Sequence, residues 1–445
     1  MIKGMRIIFM LFGLVGLFGS AHAVPSFSRQ TGQECAACHV GGFGPQLTPY
    51  GIRFKLGGYT DSDGKDGKVP LSAMLVASFD KTSKAQATPP TDSSKTNNNS
   101  GLDEASIFLA GKLFENVGIF AQVTRDQNEK NTAWDQLDAR FVKSVSIAGK
   151  DIVIGISLNN NPSVQDPFNT LPAWGHPYTS SALAPAPGAA TMLNGGLEQT
   201  VLGASAYAFI GNNYYAELGT YRTLSPSMMT RVGVGRDSDP GRLNSGTLYW
   251  RLAYMQDLKK QFYSVGLFGF NADISPDRSS PASNRFKDIG VDASYQWLGN
   301  REHIFTAGAS WLHEAQTKSA WLGSGDAATV NGHLNETKLT ASYHYKNTFG
   351  GSLSKFDIRG SSDAVMYSGT NGFANNSPNS SGYVAQIDWT PWGKEDSWMA
   401  PYANVRFGIQ YVMYDKFNGA KTNYDGSGRD AKDNNTIYAF TWIAF

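Results

Sequence analysis

Leu334-Asn335-Glu336-Thr337-Lys338-Leu339-Thr340-Ala341-Ser342-Tyr343-His344-Tyr345 changes character at every step through its second half. Leu339, Ala341, Tyr343 and Tyr345 fall on one face of an extended chain, and Lys338, Thr340, Ser342 and His344 on the other. Strict period-two alternation is the mark of a strand whose two faces meet different media. The same pattern sets Leu137, Ala139 and Phe141 against Gln136, Asp138 and Arg140, and Val405, Phe407 and Ile409 against Asn404, Arg406 and Gln410.

Working outward, strand-like segments recur at 69–79, 103–113, 116–125, 134–144, 151–158, 200–210, 213–222, 247–257, 261–271, 286–297, 302–312, 334–345, 349–357, 380–389, 401–413 and 435–445. That is about sixteen segments, many of them close to the ~9–11 residues of a tilted membrane strand. Their connections alternate in length. Long ones fall at 80–102, 126–133, 159–199, 223–246, 272–285, 313–333, 358–379 and 414–434, and short ones at 114–115, 145–150, 211–212, 258–260, 298–301, 346–348 and 390–400. A soluble sandwich has no reason to obey that rule. A transmembrane barrel does, with long outer loops opposite short periplasmic turns. The expected fold is therefore all-β, an antiparallel outer-membrane barrel of about sixteen strands occupying 69–445. Glycine is abundant at 48 residues and aromatics reach 12%, as suits this class. The final segment, Tyr438 to Phe445, ends on an aromatic residue and looks like an outer-membrane insertion signal.

A barrel of this size encloses an aqueous channel unless something fills it. The long connection 159–199, with its Ala184-Pro185-Ala186-Pro187-Gly188 run, is expected to fold inward. Charge points away from nucleic acid: 38 basic side chains, two of them Lys3 and Arg6, stand against 37 acidic ones. Met1 to Ala23 reads as a secretory signal peptide, with Lys3 and Arg6 before an apolar run and Ala21-His22-Ala23 as the cleavage site.

Between leader and barrel lies a segment, 24–68, too short to bury a core unaided. It carries Cys35-Ala36-Ala37-Cys38-His39, with the only two cysteines of the chain. Two thiols three residues apart and a contiguous imidazole are the spacing for one covalently attached haem c. Each thiol adds across a vinyl group and His39 becomes the proximal iron ligand. A small disulfide or half of a zinc site would use the cysteines but leaves His39 unexplained. Such a segment needs a wall, and the barrel mouth or interior supplies one.

The sixth iron position has no ordinary donor in the segment, because no methionine or second histidine occurs between Val24 and Val69. If Leu71, Ala73, Leu75 and Ala77 face lipid, Met74 faces the lumen and is the first candidate. His344, on a lumenal face, is the second, and His176 in the long loop the third. Asp425, Asp430 and Asp433 form an acidic loop that reads as solvated surface. His313-Glu314 lacks the second histidine of a zinc protease motif, and no Ser–His–Asp constellation can be assembled.

Phe27-Ser28-Arg29-Gln30-Thr31-Gly32, the Cys35–His39 run, Leu47-Thr48-Pro49-Tyr50-Gly51 and Phe54-Lys55-Leu56-Gly57-Gly58-Tyr59 together resemble the fused monohaem cytochrome–porins of iron-oxidising bacteria. The resemblance is in motifs over 25–59 and in architecture over the remainder. It implies an outer-membrane electron-transfer protein with haem on Cys35, Cys38 and His39. By the same resemblance its partners are an extracellular donor such as Fe(II) and a periplasmic carrier such as a soluble cytochrome, making it an Fe(II)-oxidising oxidoreductase. Two alternatives use the same residues: outward export of electrons, and a solute porin whose haem is a structural plug.

Overall fold

The computed structural model describes residues 25–65, 67–128, 130–235, 238–394 and 396–445; the leader expected over 1–23 lies outside them. Sixteen strands close into one antiparallel barrel. They are β1 Leu71–Thr82, β2 Asn99–Phe114, β3 Val117–Asp126, β4 Asn131–Ile147, β5 Lys150–Asn159, β6 Val201–Ile210, β7 Tyr214–Thr223 and β8 Leu248–Asp257. The second half comprises β9 Gln261–Ser275, β10 Asn284–Trp297, β11 His303–Thr317, β12 Asn331–Tyr345, β13 Phe349–Gly360, β14 Ser380–Trp389, β15 Asn404–Lys416 and β16 Thr436–Ala444. A two-residue ladder, Arg242–Leu243, extends the sheet beside the end of β9. Each strand pairs with its sequence neighbour, and β1 closes on β16 through Met74↔Ala444, Val76↔Trp442 and Ser78↔Phe440. Closure leaves no unpaired edge among the described strands, the condition for a sheet in lipid.

Several strands run further than alternation indicates. β4 begins at Asn131 rather than 134, β9 runs to Ser275 and β11 to Thr317. These extensions lie at the long-loop ends, where polar residues continue the ladder beyond any apolar band.

The outer face is apolar. Ile107 and Ile387 are each 64% exposed, Leu218 58%, and Ile156, Leu267, Ile289 and Leu339 stand out beside them. Near the short turns, aromatic rings adjoin from strand to strand: Tyr214 with Tyr254, Tyr254 with Tyr263, Trp297 with Phe305, Phe305 with Tyr343, and Trp389 with Phe407. An apolar belt with an aromatic girdle is what a bilayer and its headgroup layer select. No helix among the described residues is long and apolar enough to cross a membrane; the crossing elements are strands.

The lumen holds the N-terminal segment and the third long loop. The N-terminal segment folds as α1 Pro25–Thr31, α2 Cys35–Cys38 and α3 Pro49–Leu56, and packs against the inner wall. The connection 160–200, third of the long loops, runs inward over it. Thr170 reaches Asp292 on β10 (2.8 Å), Thr179 O accepts from Gln410 on β15 (3.0 Å), and Gly188 N–H donates to Asn418 (3.0 Å).

Candidate functional site

The Cys35–His39 turn owes its shape to three short-range devices. The single helical turn Cys35–Cys38 brings both thiols to the same side, as residues three apart do, and His39 N–H closes it on Cys35 O at 2.9 Å. Gly41, Gly42 and Gly44, all at positive φ, reverse the chain so that His39 bridges Leu47 and Val40 N–H reaches Gln46 O (3.0 Å). Thr48 then fastens the turn to α3. Its N–H donates to Cys38 O (2.9 Å), its hydroxyl donates to Ala37 O, and the same oxygen caps α3 by accepting from Gly51 N–H. Pro49 follows at the first helical position, where a missing N–H costs nothing.

α1 braces this turn against the wall. Phe27 stacks on Tyr59 (5.3 Å) and meets Phe54 edge-on (4.9 Å). Gln30 Nε2 donates to the carbonyls of Tyr59 (2.7 Å) and Asp61 (2.6 Å), while Gln30 Oε1 accepts from Lys112 N–H on β2 (2.6 Å).

The barrel supplies a ring of side chains that hold it. Arg140 on β4 donates to Lys55 O (2.9 Å) and Tyr207 on β6 to Leu56 O (2.6 Å). Gln296 on β10 donates to Leu47 O (2.7 Å), Asn404 on β15 to Gly42 O (2.7 Å) and Arg406 to Gly41 O (3.1 Å). Arg53 pairs with Asp257 at the end of β8 (2.7 Å). Sequence reading assigned no function to these wall residues. Their signal was there, as polar residues on the lumenal face in mid-strand, but a sequence does not say what such a residue will meet.

Between segment and wall lies a cavity of about 480 Å³, within the range of small-molecule sites. Cys35, Cys38, His39 and Met74 all line it. Its apolar side comes from the cluster of Phe43, Met74, Val76, Phe108 and Ala444, with Phe27, Phe120 and Trp442 packed against it. Its other end is polar, with Glu104, Gln122 and Asp135. Both thiols are free. Burial pushes the Cys38 thiol up to about 12, with the Cys35 thiol and Asp61 adding to the effect. Burial raises Cys35 as well, and lowers His39 to about 4. At neutral pH the trio is therefore two thiols and an uncharged imidazole. His39 Nδ1 is buried with no hydrogen-bond partner. Among the described residues no group of three or more His, Cys, Asp or Glu side chains is placed to hold a metal ion, so the zinc reading lacks its further ligands. Two unpaired thiols, a neutral imidazole with an orphan nitrogen and an apolar chamber fit a thioether-linked haem.

The three candidates for the sixth position separate. Met74, 7% exposed, shares the cavity with the Cys-His turn. His344 stands behind Gly41, where an added Cβ would meet its ring at 2.6 Å, and is not among the cavity's lining residues. His176 is bonded to Ser352 (3.0 Å) and Ser354 (2.8 Å) and lines a second chamber of about 330 Å³. Trp174 and Tyr178 form part of the wall of both chambers. Asp425, Asp430 and Asp433 bind their own loop: Asp425 accepts from the amides of Ser427 and Arg429, and Asp430 with Asp433 forms a capping box.

No protein-family model and no curated protein matches the chain. Among solved structures it is similar to OprB of Pseudomonas putida, at 10% identity over 84% of this chain and 93% of that one, TM-score 0.48. It is also similar to the anion-selective porin from Comamonas acidovorans (11%, 84% and 97%, TM-score 0.43) and to the trimer form of OmpT from Vibrio cholerae (8%, 84% and 98%, TM-score 0.43). The closed sheet, apolar belt and girdle define the class by themselves. This is a porin-like, sixteen-stranded barrel of the bacterial outer membrane, in contact with its lipid.

Proposed function

We propose that the chain is an outer-membrane electron-transfer cytochrome–porin. It would take electrons from an extracellular donor, Fe(II) foremost, through one haem c, and pass them to a periplasmic carrier such as a soluble cytochrome. The observation that carries this reading is the Cys35-Ala36-Ala37-Cys38-His39 turn facing an apolar cavity inside a membrane barrel. When bound, haem supplies a one-electron iron couple that no side chain offers.

The remaining work belongs to the protein. Cys35 and Cys38 would hold the group as thioethers, each S–H adding across one vinyl C=C with nothing released. His39 would offer a ring nitrogen to the iron, its imidazole kept uncharged by burial. Phe27, Phe43, Phe108 and Trp442 give the chamber an apolar side. The segment and the inward loop both pack inside the lumen and narrow it. A barrel so occupied carries the redox centre into a layer that soluble cytochromes do not enter.

Purified full-length protein from a host that matures c-type cytochromes should stain for peroxidase after denaturing electrophoresis. Mixed anaerobically with Fe(II), it should develop reduced-haem absorption bands. Absence of those bands at every pH from acidic to neutral sinks the Fe(II) reading. A low ionic current in planar bilayers is expected, and a large steady conductance would favour the solute porin.

A further inference from the structure

We propose that Met74, a residue of the barrel wall and not of the Cys-His segment, supplies the second axial bond to the haem iron through its thioether sulfur. The inference rests on the haem reading above and adds to it the ligand set.

Four observations carry it. Met74 projects inward near the short-turn end of β1, between Ala444 of β16 and Ser106 of β2, and is 7% exposed. It shares one cavity with Cys35, Cys38 and His39, and among the lining residues it is the one thioether and His39 the one imidazole. Its neighbours Phe43, Val76 and Phe108 are apolar, and the one polar group in register with it, the Ser106 hydroxyl on β2, donates to Glu104 at 2.6 Å. Several other side chains of the lining that could ligate iron are engaged or disfavoured, Glu104 accepting from Ser106 (2.6 Å) and Asp135 from Thr124 (2.8 Å). Lys55 Nζ donates to Val164 O and Asn169 Oδ1, both at 2.8 Å, and Tyr59 OH donates to Asp138 at 2.6 Å. Burial raises the Tyr178 phenol, which works against the phenolate that iron would take.

The chemistry follows from the donor. A neutral, soft thioether opposite an imidazole stabilises ferrous over ferric iron and raises the potential relative to a second imidazole. That suits an acceptor whose electron source is a weak reductant. It also makes the iron six-coordinate, so the site passes electrons without binding oxygen. And it ties the segment to the wall by a bond that neither makes alone.

The test uses full-length haem-loaded protein and two variants, Met74→Leu, which keeps the volume, and Met74→His. The wild type should show the long-wavelength sulfur-to-iron charge-transfer band in its ferric spectrum and an upfield-shifted methionine methyl resonance in its ferrous state. Met74→Leu should lose both, bind carbon monoxide when reduced and titrate at a lower potential, with haem still covalently attached and the barrel still heat-modifiable. Met74→His should stay six-coordinate at a lower potential. A haem-loaded wild type lacking the band, or a Met74→Leu protein that keeps it, overturns the ligand assignment and leaves the haem reading standing. A colourless wild type overturns both.

Discussion

Arg140 on the barrel wall donates through Nη1 to the carbonyl oxygen of Lys55, in the last turn of α3, at 2.9 Å. The same guanidinium pairs with Asp138 at 2.7 Å, reaches the carbonyl of Gln165 in the inward loop, and is 1% exposed. One side chain therefore joins wall, segment and loop. Arg140→Leu takes the cation from the fully buried Asp138 carboxylate, leaving it the hydroxyls of Tyr59 and Ser157, and breaking a buried pair from one side costs about 3–5 kcal/mol. The expected result is a segment that unseats while the barrel persists, seen as trypsin cleavage at Arg53 and a new steady current in planar bilayers. Arg140→Lys should recover only part of the closure, because an ammonium cannot serve three partners as a fork does.

The inward loop has its own clasp. Thr191 N–H donates to Glu336 Oε1, Met192 N–H to Glu314 and Leu193 N–H to Asp288 Oδ2 (2.9 Å), from three adjacent strands. Asn194 Nδ2 adds a second bond to Glu336. Successive amides at the start of a helical turn converge on acceptor oxygens, and here the acceptors are the wall's own carboxyl groups. Glu336→Gln turns one of the two accepting oxygens into a donor facing a donor. It should weaken the clasp by about 1–3 kcal/mol, read as faster hydrogen exchange at residues 191–194 with unchanged exchange in β10–β12.

Alternation made the strands legible because inward and outward faces meet media as different as lipid and a polar lumen, and Leu339, Ile387 and Phe407 are all exposed on the outer face. The Cys35–His39 spacing made the candidate chemistry legible because covalent attachment needs contiguous residues. What stayed hidden was every partnership across the lumen. Asp138 and Arg140 read as lumenal polar residues, yet nothing in their neighbourhood of sequence says that Tyr59 and Lys55 will be their partners, 79 and 85 positions away. The inward course of 160–200 was expected from its length, whereas its carboxylate clasp depends on three strands arriving in register. Met74 could be placed in the lumen by counting; that it shares a cavity with His39 required the fold.

Gly51 tests the seating of the Cys-His turn on α3. A Cβ there would run into the carbonyl oxygen of Cys38, which is backbone and cannot swing aside. Gly51→Ala should therefore part the turn from the helix at a cost of about 1–3 kcal/mol, or roughly a tenfold or greater rise in exchange of the amides of 39 and 48. Thr48→Val, which removes the capping hydroxyl but adds no clash, should give a smaller rise at the same amides.

Acid should loosen the inward loop, and the sign follows from His176. Burial lowers its imidazole from 6.5 to about 4, the nearby Lys338 and then Arg406 and His344 push the same way, and Asp388 opposes them. The docked loop therefore holds fewer protons than a detached one between those two values, so its docking is fully present above about 6.5 and declines as pH falls toward about 4. The neutral ring exchanges hydrogen bonds with Ser352 Oγ (3.0 Å) and Ser354 Oγ (2.8 Å) across the second chamber. Reconstituted protein should stay quiet at neutral pH and show rising current noise as the bath is acidified through this window. His176→Gln keeps a donor and an acceptor without titrating, and should flatten the profile. Superimposable profiles for wild type and variant would move the pH response to another group of the lumen, His344 first.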